Sequence, residues 1–339
     1  YWVQATPPRV TRGLLFKGGR AFNPHSLNRA PDAVPCLAFS PCGRHLPFVP
    51  WKNQTTRDSR CIAVALSSTY RVLTVKSSPE SVLAKAFGSI PNRLQLAGGW
   101  IDQPFVSRHN PSPPGSMVVV QIEPNFRPMD RSGLASGTRA VAQRLWKGRI
   151  PRRPREQLVR ELYAAENKGK AQPSGSQDMI GLLYPGVNRL DYDYASNGGV
   201  FPVHIESLTS SRHARWLEKV LHLLPVEPRP EGYDPLEIMN LDPKWVARLG
   251  RSGAMCFDAI RRMDVDLLGA SLNETMVCWE KLLPRVVAHP LIRIDLKKLL
   301  KVYQRCYPGA MFSGCGGGYL IVASREKVPG SLQVQVRTE

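Results

Sequence analysis

Four of the five residues from Gly314 to Gly318 are glycine, and they lie between a Pro308-Gly309 break and the apolar run Tyr319-Leu320-Ile321-Val322. Glycine loses more backbone freedom on folding than any other residue, so such a stretch is costly unless side chains must be absent there. Backbone packed against a ligand, or against another backbone, meets that condition. A glycine-rich hairpin or linker is the plainer alternative. Cys315, inside the stretch, has no sequence-adjacent His to activate it and reads equally as a small packed residue or a nucleophile.

The rest of the chain is large enough to build a core around this loop. At 339 residues and 42% hydrophobic it is not a disordered chain, and its length allows two or three domains. No run of 18 apolar residues occurs, so no membrane partner is expected. Residue 1 is Tyr and no apolar signal-like stretch follows it, which leads to the expectation of a fragment or partial frame. The seven cysteines, at 36, 42, 61, 256, 278, 306 and 315, form no CxxC pair and no metal-spaced Cys/His set, which predicts reduced thiols in a cytoplasmic compartment.

Lys and Arg number 46 against 27 Asp and Glu, a formal charge of +19. Two segments supply most of the excess: residues 1–90, with twelve Lys/Arg against three acids, and residues 127–160, with ten against two. A solvated basic surface explains such a balance, and so does attraction of an anionic ligand. Nucleic acid is not the expected partner, because no recognition helix, zinc-finger spacing or aromatic-studded strand accompanies the charge.

Residues 1–72 are rich in Pro, Arg and Cys and show no sustained period apart from the apolar run Cys61–Leu66. From residue 73 the texture changes. Ser78–Phe87 reads as a short capped helix with Pro79 at its first position. Arg93–Ala97 and Met117–Ile122 read as strands, and Arg139–Trp146 and Glu156–Glu166 as helices. Strands are expected at Asn188–Tyr194 and Gly199–Ile205. Further helices are expected at Ser211–Leu224, Pro243–Met263, Val265–Leu283 and Ile294–Tyr307, with closing strands at Gly318–Ala323 and Leu332–Val336.

Two more loops carry candidate chemistry. Ser132-Gly133-Leu134-Ala135-Ser136-Gly137-Thr138 opens a helix, where N–H groups without intrahelical partners and the helix dipole suit a polyphosphate. A routine helix cap has the same composition. The second, Gly98-Gly99-Trp100-Ile101-Asp102-Gln103-Pro104, offers an aromatic face and a carboxylate, the pairing that holds a sugar; a surface turn with a buried Trp is the alternative. Glu166 and Asp178 flank a Pro-Ser-Gly turn, and two acids of this kind can divide the work of holding Mg²⁺ and accepting a proton. Arg127 and Arg131 precede the small-residue loop and are candidates for steering an anion.

Taken in order, strand-Gly-Gly-x-x-Asp, Gly-Leu-small-small, the Glu and Asp about the Pro-Ser-Gly turn, and Ser-Gly-x-Gly-Gly-Gly resemble the GHMP small-molecule kinase superfamily over roughly residues 75–339. The Ala-Gly-Gly-Trp-Ile-Asp-Gln-Pro motif is most similar to its fucokinase-type and heptose-phosphate kinase branch. The resemblance implies an α+β, two-lobed GHMP kinase fold. Residues 73–225 would form a ribosomal protein S5 domain 2-like lobe and residues 226–339 a ferredoxin-like lobe. It implies ATP and Mg²⁺ as cofactors and a sugar or sugar phosphate as acceptor. Gly133, Leu134, Ala135, Ser136, Gly137 and Thr138 would wrap the ATP phosphates. Glu166 would bind Mg²⁺, Asp178 would act as base or charge stabiliser, and Arg93 would lie beside the transferred group. Asp102 and Trp100 would bind the acceptor, with Gly314, Gly316 and Gly317 supporting the site. The superfamily often carries Ser where this chain has Gly137, so the hydroxyl on the metal would come from Ser136 or Thr138, or Glu166 would hold the metal alone. Some relatives of this branch carry an upstream nucleotidyltransferase-like domain. Residues 73–90 resemble the connection that follows it, but residues 1–70 lack a His-x-Gly-His signature, so no nucleotidyl transfer is expected, and the segment is either a remnant of that domain or an unrelated disordered extension.

Overall fold

The first half of the described chain builds one antiparallel sheet and the second half another. The computed structural model describes residues 89–123 and 125–339. The expectations for the extension 1–72, the apolar run 61–66, the helix 78–87 and Cys36, Cys42 and Cys61 lie outside these residues. The first sheet has the order β1 (Asn92–Gln95), β2 (Gly115–Ile122), β3 (Val187–Tyr192), β4 (His204–Leu208), antiparallel throughout. Short helices α1 (Pro104–Ser107), α2 (Ser136–Leu145), α3 (Arg155–Asn167), α4 (Gln177–Leu183) and α5 (Tyr194–Asn197) lie between these strands, and α6 (Ser211–Val220) follows β4. The second sheet has the order β6 (Gly309–Phe312), β7 (Tyr319–Ala323), β5 (Leu221–Pro225), β8 (Leu332–Gln333). The long hairpin α7 (Pro243–Arg262) and α8 (Val265–Leu282), then α9 (Leu296–Cys306), complete it.

All eight residues of β2 are buried, because α7 and α4 both pack against it, and this accounts for an apolar run without alternation. The hairpin α7–α8 serves both sheets: α7 crosses β2, while α8 packs on β6 and β7. Asp264 caps α8 by accepting from the amides of Asp266 and Leu267. No helix among the described residues is long and apolar enough to cross a membrane.

Several boundaries differ from those the sequence suggests. The helix expected over 211–224 stops at Val220, and Leu221–Pro225 is instead β5, held between β7 and β8. Its Leu-His-Leu-Leu run is buried on every side chain, a pattern that a short inner strand shares with a buried helix turn. The strand expected at 199–205 forms later, at 204–208, because Gly198 and Gly199 both take left-handed backbone and turn the chain first. Strand β6 gives no alternation signal: four residues, all buried, with Gly309 packed on the backbone of Gly269. At the C-terminus only Leu332–Gln333 joins the second sheet, whereas Val336 bridges to Ile122 of the first. Arg337 fastens this crossing, both arms of its guanidinium donating to the Glu123 carboxylate at 2.6 Å.

This packing also shapes the turn after β1. Gly98 donates its N–H to Thr275 Oγ1 (3.3 Å), and the indole Nε1 of the buried Trp279 donates to the Gly99 carbonyl (3.1 Å). Helix α8 thereby sets the turn that carries Trp100 and Asp102. Helix α7 can approach so closely because a Cβ on Gly253 would stand 2.8 Å from the Cα of Met117 and would collide with the Ser116 carbonyl. Backbone on both sides leaves no side chain to give way. Gly253→Val is therefore expected to cost about 3 kcal/mol of unfolding free energy in urea titration; a loss below ~1 kcal/mol would show that α7 does not press on β2 in this way.

Candidate phosphate-binding cavity and carboxylate site

One open cavity of about 430 Å³ gathers most of the residues singled out above. Its lining includes Arg93 from β1 and Trp100 and Gln103 from the turn after it. Gly133, Ala135, Ser136 and Gly137 line it at the start of α2, Asp178 at the start of α4, and Gly314 and Cys315 in the glycine loop.

The start of α2 has no side-chain cap, and its N-cap residue Ala135 sits in left-handed backbone (φ 57°). The helix N–H groups at Ser136, Gly137 and Thr138 thus open the helix with its positive dipole end at the cavity wall. Nothing stands within 4 Å of where a Gly137 Cβ would be, so this position is open rather than crowded. Gly133 is different. Its φ is 83°, and a Cβ there would run into the carbonyl of Ser313. The two small-residue loops are packed backbone to backbone: Gly318 presses on Ser132 in the same manner, and Ser313 Oγ donates to the Ser132 carbonyl at 2.5 Å. The glycine run is therefore no loose linker.

Asp178 lies in the first turn of α4. One carboxylate oxygen accepts from Arg93 Nη2, and the other from Thr138 Oγ1 at 3.3 Å. The Arg93 stem crosses α4 at Gly181, where any Cβ would collide with it. Arg93 is nearly buried, and its Nε and Nη1 have no hydrogen-bond partner in the protein. A strand, a helix start and the small-residue loop thus converge on one ion pair.

Asp102 is fully buried and is not part of the cavity lining. Its Oδ1 accepts from Gln177 Nε2 at 3.1 Å, and its Oδ2, packed on Gly175, has no partner. Burial pushes its carboxyl up to about 7, the nearby Asp178 charge adds to that, and Arg93 opposes it. Leu134 is a core residue and Thr138 is committed to Asp178. Gly316 and Gly317 stand behind the lining, on Val286 and Glu227. Arg131 lines the cavity; Arg127 does not.

Glu166 sits near the end of α3, also outside the lining. Its Oε1 accepts from Ser174 Oγ (3.1 Å) and pairs with Lys170 Nζ (3.6 Å), while its Oε2 is buried without a partner. It joins the site through the segment after it: Ser174 bonds Glu166, Gly175 packs on Asp102, Gln177 bonds Asp102 and Asp178 bonds Arg93. No group of three or more His, Cys, Asp or Glu gathers among the described residues. The unpartnered Glu166 oxygen and, in the cavity lining, the Ser136 hydroxyl are each of the oxygen type that Mg²⁺ takes, and this ion is commonly held by one or two protein oxygens together with substrate phosphates.

Several lining residues have no role assigned from the sequence: Gln95, Gln103, Gln177, Arg229, Tyr233 and Pro235. Gln103 and Gln177 each neighbour a candidate acid, which is the signal that could have found them. Arg229 and Tyr233 lie in the Pro/Gly-punctuated stretch Pro225–Pro235, legible only as a loop. Of the cysteines among the described residues, Cys256 and Cys278 are buried, and Cys306 and Cys315 are partly buried.

The Asp102 environment sets a pH signature. Its folded pKa lies above its unfolded value of 3.8, so the folded state binds the extra proton, and the stabilisation is full below pH ~4 and is lost as pH rises through about 7. Relative to Asp102→Asn, the wild-type unfolding free energy should fall by roughly 4 kcal/mol between pH 4 and pH 8. Parallel profiles for the two proteins would rule out a buried, proton-holding carboxyl at this position.

No family model matches this chain, and no curated protein matches it. Solved structures do. Galactokinase from Lactococcus lactis, complexed with galactose, is 13% identical, with a TM-score of 0.52 over 77% of this chain and 98% of that one. Mevalonate kinase from L. major, in complex with R-mevalonate, is 10% identical, with a TM-score of 0.51 over 79% of this chain and 98% of that one. The α+β arrangement of two antiparallel sheets with their helices is accordingly the fold of these two kinases.

Proposed function

We propose that this chain is an ATP-dependent kinase that transfers the γ-phosphoryl group to a hydroxyl of a sugar or sugar phosphate. The observation that carries the reading is that the uncapped start of α2 and the Arg93–Asp178 pair line one cavity. The first is suited to a phosphate chain and the second to the reacting end of it. Residues 73–225 and 226–339 would be the two lobes, with 1–72 as a separate extension.

In this reading the amides at Ser136, Gly137 and Thr138 bind the phosphates, and Gly133 keeps the backbone close to them. Arg93, in the cavity lining, brings its guanidinium charge to the oxygens of the group in transit, where charge is spread in the transition state. The acceptor oxygen forms a bond to the γ-phosphorus, the bond to the bridging oxygen breaks, and ADP leaves with that electron pair. Asp178, held in place by Arg93 and Thr138, takes the hydroxyl proton. Mg²⁺, when bound with the nucleotide, supplies charge neutralisation on the phosphate oxygens, and Glu166 and Ser136 are the oxygen donors this chain offers it. Trp100 gives the acceptor an aromatic face, and Gln103 supplies an amide donor and acceptor for its hydroxyls.

The second reading is a nucleotide- or sugar-binding protein without turnover, favoured by Gly137 in place of a hydroxyl residue. ADP release measured across sugars and sugar phosphates separates the two. Wild type should turn over at least one of them, and Asp178→Asn should lower kcat by about 100-fold or more while the thermal shift caused by ADP persists. ADP binding without turnover in the wild type would establish the silent protein instead.

A further inference from the structure

Arg229 belongs to none of the motifs, yet it touches every part of the phosphate-loop corner. It lies in the stretch that leaves β5, fixed on each side by Pro228 and Pro230. That stretch continues the strand pairing for two residues: Val226 donates to the Gly318 carbonyl (2.9 Å), and Gly318 donates to the Glu227 carbonyl (2.6 Å). The Arg229 side chain then lies over the glycine loop. Its Nε donates to the Gly316 carbonyl at 2.6 Å and its Nη2 to the Ser313 carbonyl at 2.7 Å. The same Nη2 would stand 2.9 Å from a Cβ on Gly133 and 2.9 Å from one on Gly314, so the guanidinium rests against the phosphate loop as well. Tyr233 steadies the arrangement, its hydroxyl donating to the Cys315 carbonyl and its ring centre lying 5.9 Å from the Arg229 guanidinium.

These contacts satisfy hydrogen bonds but leave a charge unbalanced. Two neutral carbonyls do not cancel a guanidinium, and no carboxylate among the described residues forms an ion pair with Arg229. It is half-buried, where water screens it only in part. Among the guanidinium groups lining the cavity, Arg93 has Asp178 as its counter-charge; Arg131 is exposed to solvent. Arg229 therefore brings an unmatched positive charge to the wall where the α2 helix also presents its positive end.

The geometry points to Arg229 as the positioning residue for the nucleotide's phosphate chain: it pins the Ser313–Gly318 loop to Gly133 and supplies the cation that the β-phosphate neutralises. This inference rests on the kinase reading above. Arg rather than Lys is required because one planar fork must serve two carbonyls and keep donors free, which a single ammonium on a flexible stem does not do.

The test is calorimetric titration of the full chain with ADP and with AMP, which lacks the β-phosphate, for wild type, Arg229→Gln and Arg229→Lys. Arg229→Gln should weaken ADP by about tenfold or more and AMP by no more than about twofold. Raising the salt concentration should then cost the variant less ADP affinity than it costs the wild type. Arg229→Lys keeps the charge without the fork, and its loss for ADP should be about threefold, between the other two proteins. Equal losses for ADP and AMP would reduce Arg229 to a loop splint, and no loss for ADP would overturn the inference while leaving the kinase reading intact. Should Arg229→Gln not fold, Arg229→Lys decides by the same comparison. A wild-type protein that binds no ADP overturns the kinase reading and this inference with it.

Discussion

Everything in the site depends on the contact of two backbones. Gly133 against Ser313 and Gly318 against Ser132 bring the start of α2 to the β6–β7 turn at a separation no side chain allows. Hydrogen bonds then close the seam: the Ser313 hydroxyl donates to Ser132 and accepts from the Tyr319 amide. Because this seam joins a loop of the first sheet's half to a loop of the second sheet, the helix N-terminus is held by the body of the protein and not by its own cap. A helix start left uncapped is unfavourable by itself, and such a cost is ordinarily offset by a ligand or by water.

The same economy appears on the carboxylate side. Asp178, Arg93 and Thr138 come from α4, β1 and α2, three elements joined by no common stretch of sequence, and their mutual bonds set all three. Asp102 lies one layer deeper. Its carboxyl is shared with Gln177, which adjoins Asp178, so the charge state of the buried acid and the placement of the lining residues are coupled through two neighbouring positions. This relocates Asp102 from the role the sequence suggests. It sits beneath the cavity lining, and Gln103 and Gln177 are the neighbours that line the cavity at that end.

How much of this was legible in the sequence follows from where the information is stored. The glycine run betrays its close packing because only glycine tolerates it, and the small-residue loop betrays a helix start for the same kind of reason. The apolar run of β2 is readable as a strand because its length is too short for a helix and it is rich in Val. Leu221–Pro225 carries a helix signal, since Leu-His-Leu-Leu continues the apolar spacing of α6 and only pairing with β7 and β8 decides its state. Strand β6 leaves no mark in the sequence, because four buried residues carry no period. Arg229 was invisible for a different reason: its neighbours are Ser313 and Gly316, more than 80 residues away, and no local pattern encodes that meeting.

The central claim is that the helix start at residues 136–138 and the pair Arg93–Asp178 face two ends of one phosphate chain. A crystal structure with a non-hydrolysable ATP analogue tests it most directly. The account predicts the β-phosphate on the amides of Ser136, Gly137 and Thr138, with the γ-phosphate within hydrogen-bonding distance of Arg93 and beside Asp178. An analogue bound elsewhere, or one whose terminal phosphate turns away from Asp178, would contradict it.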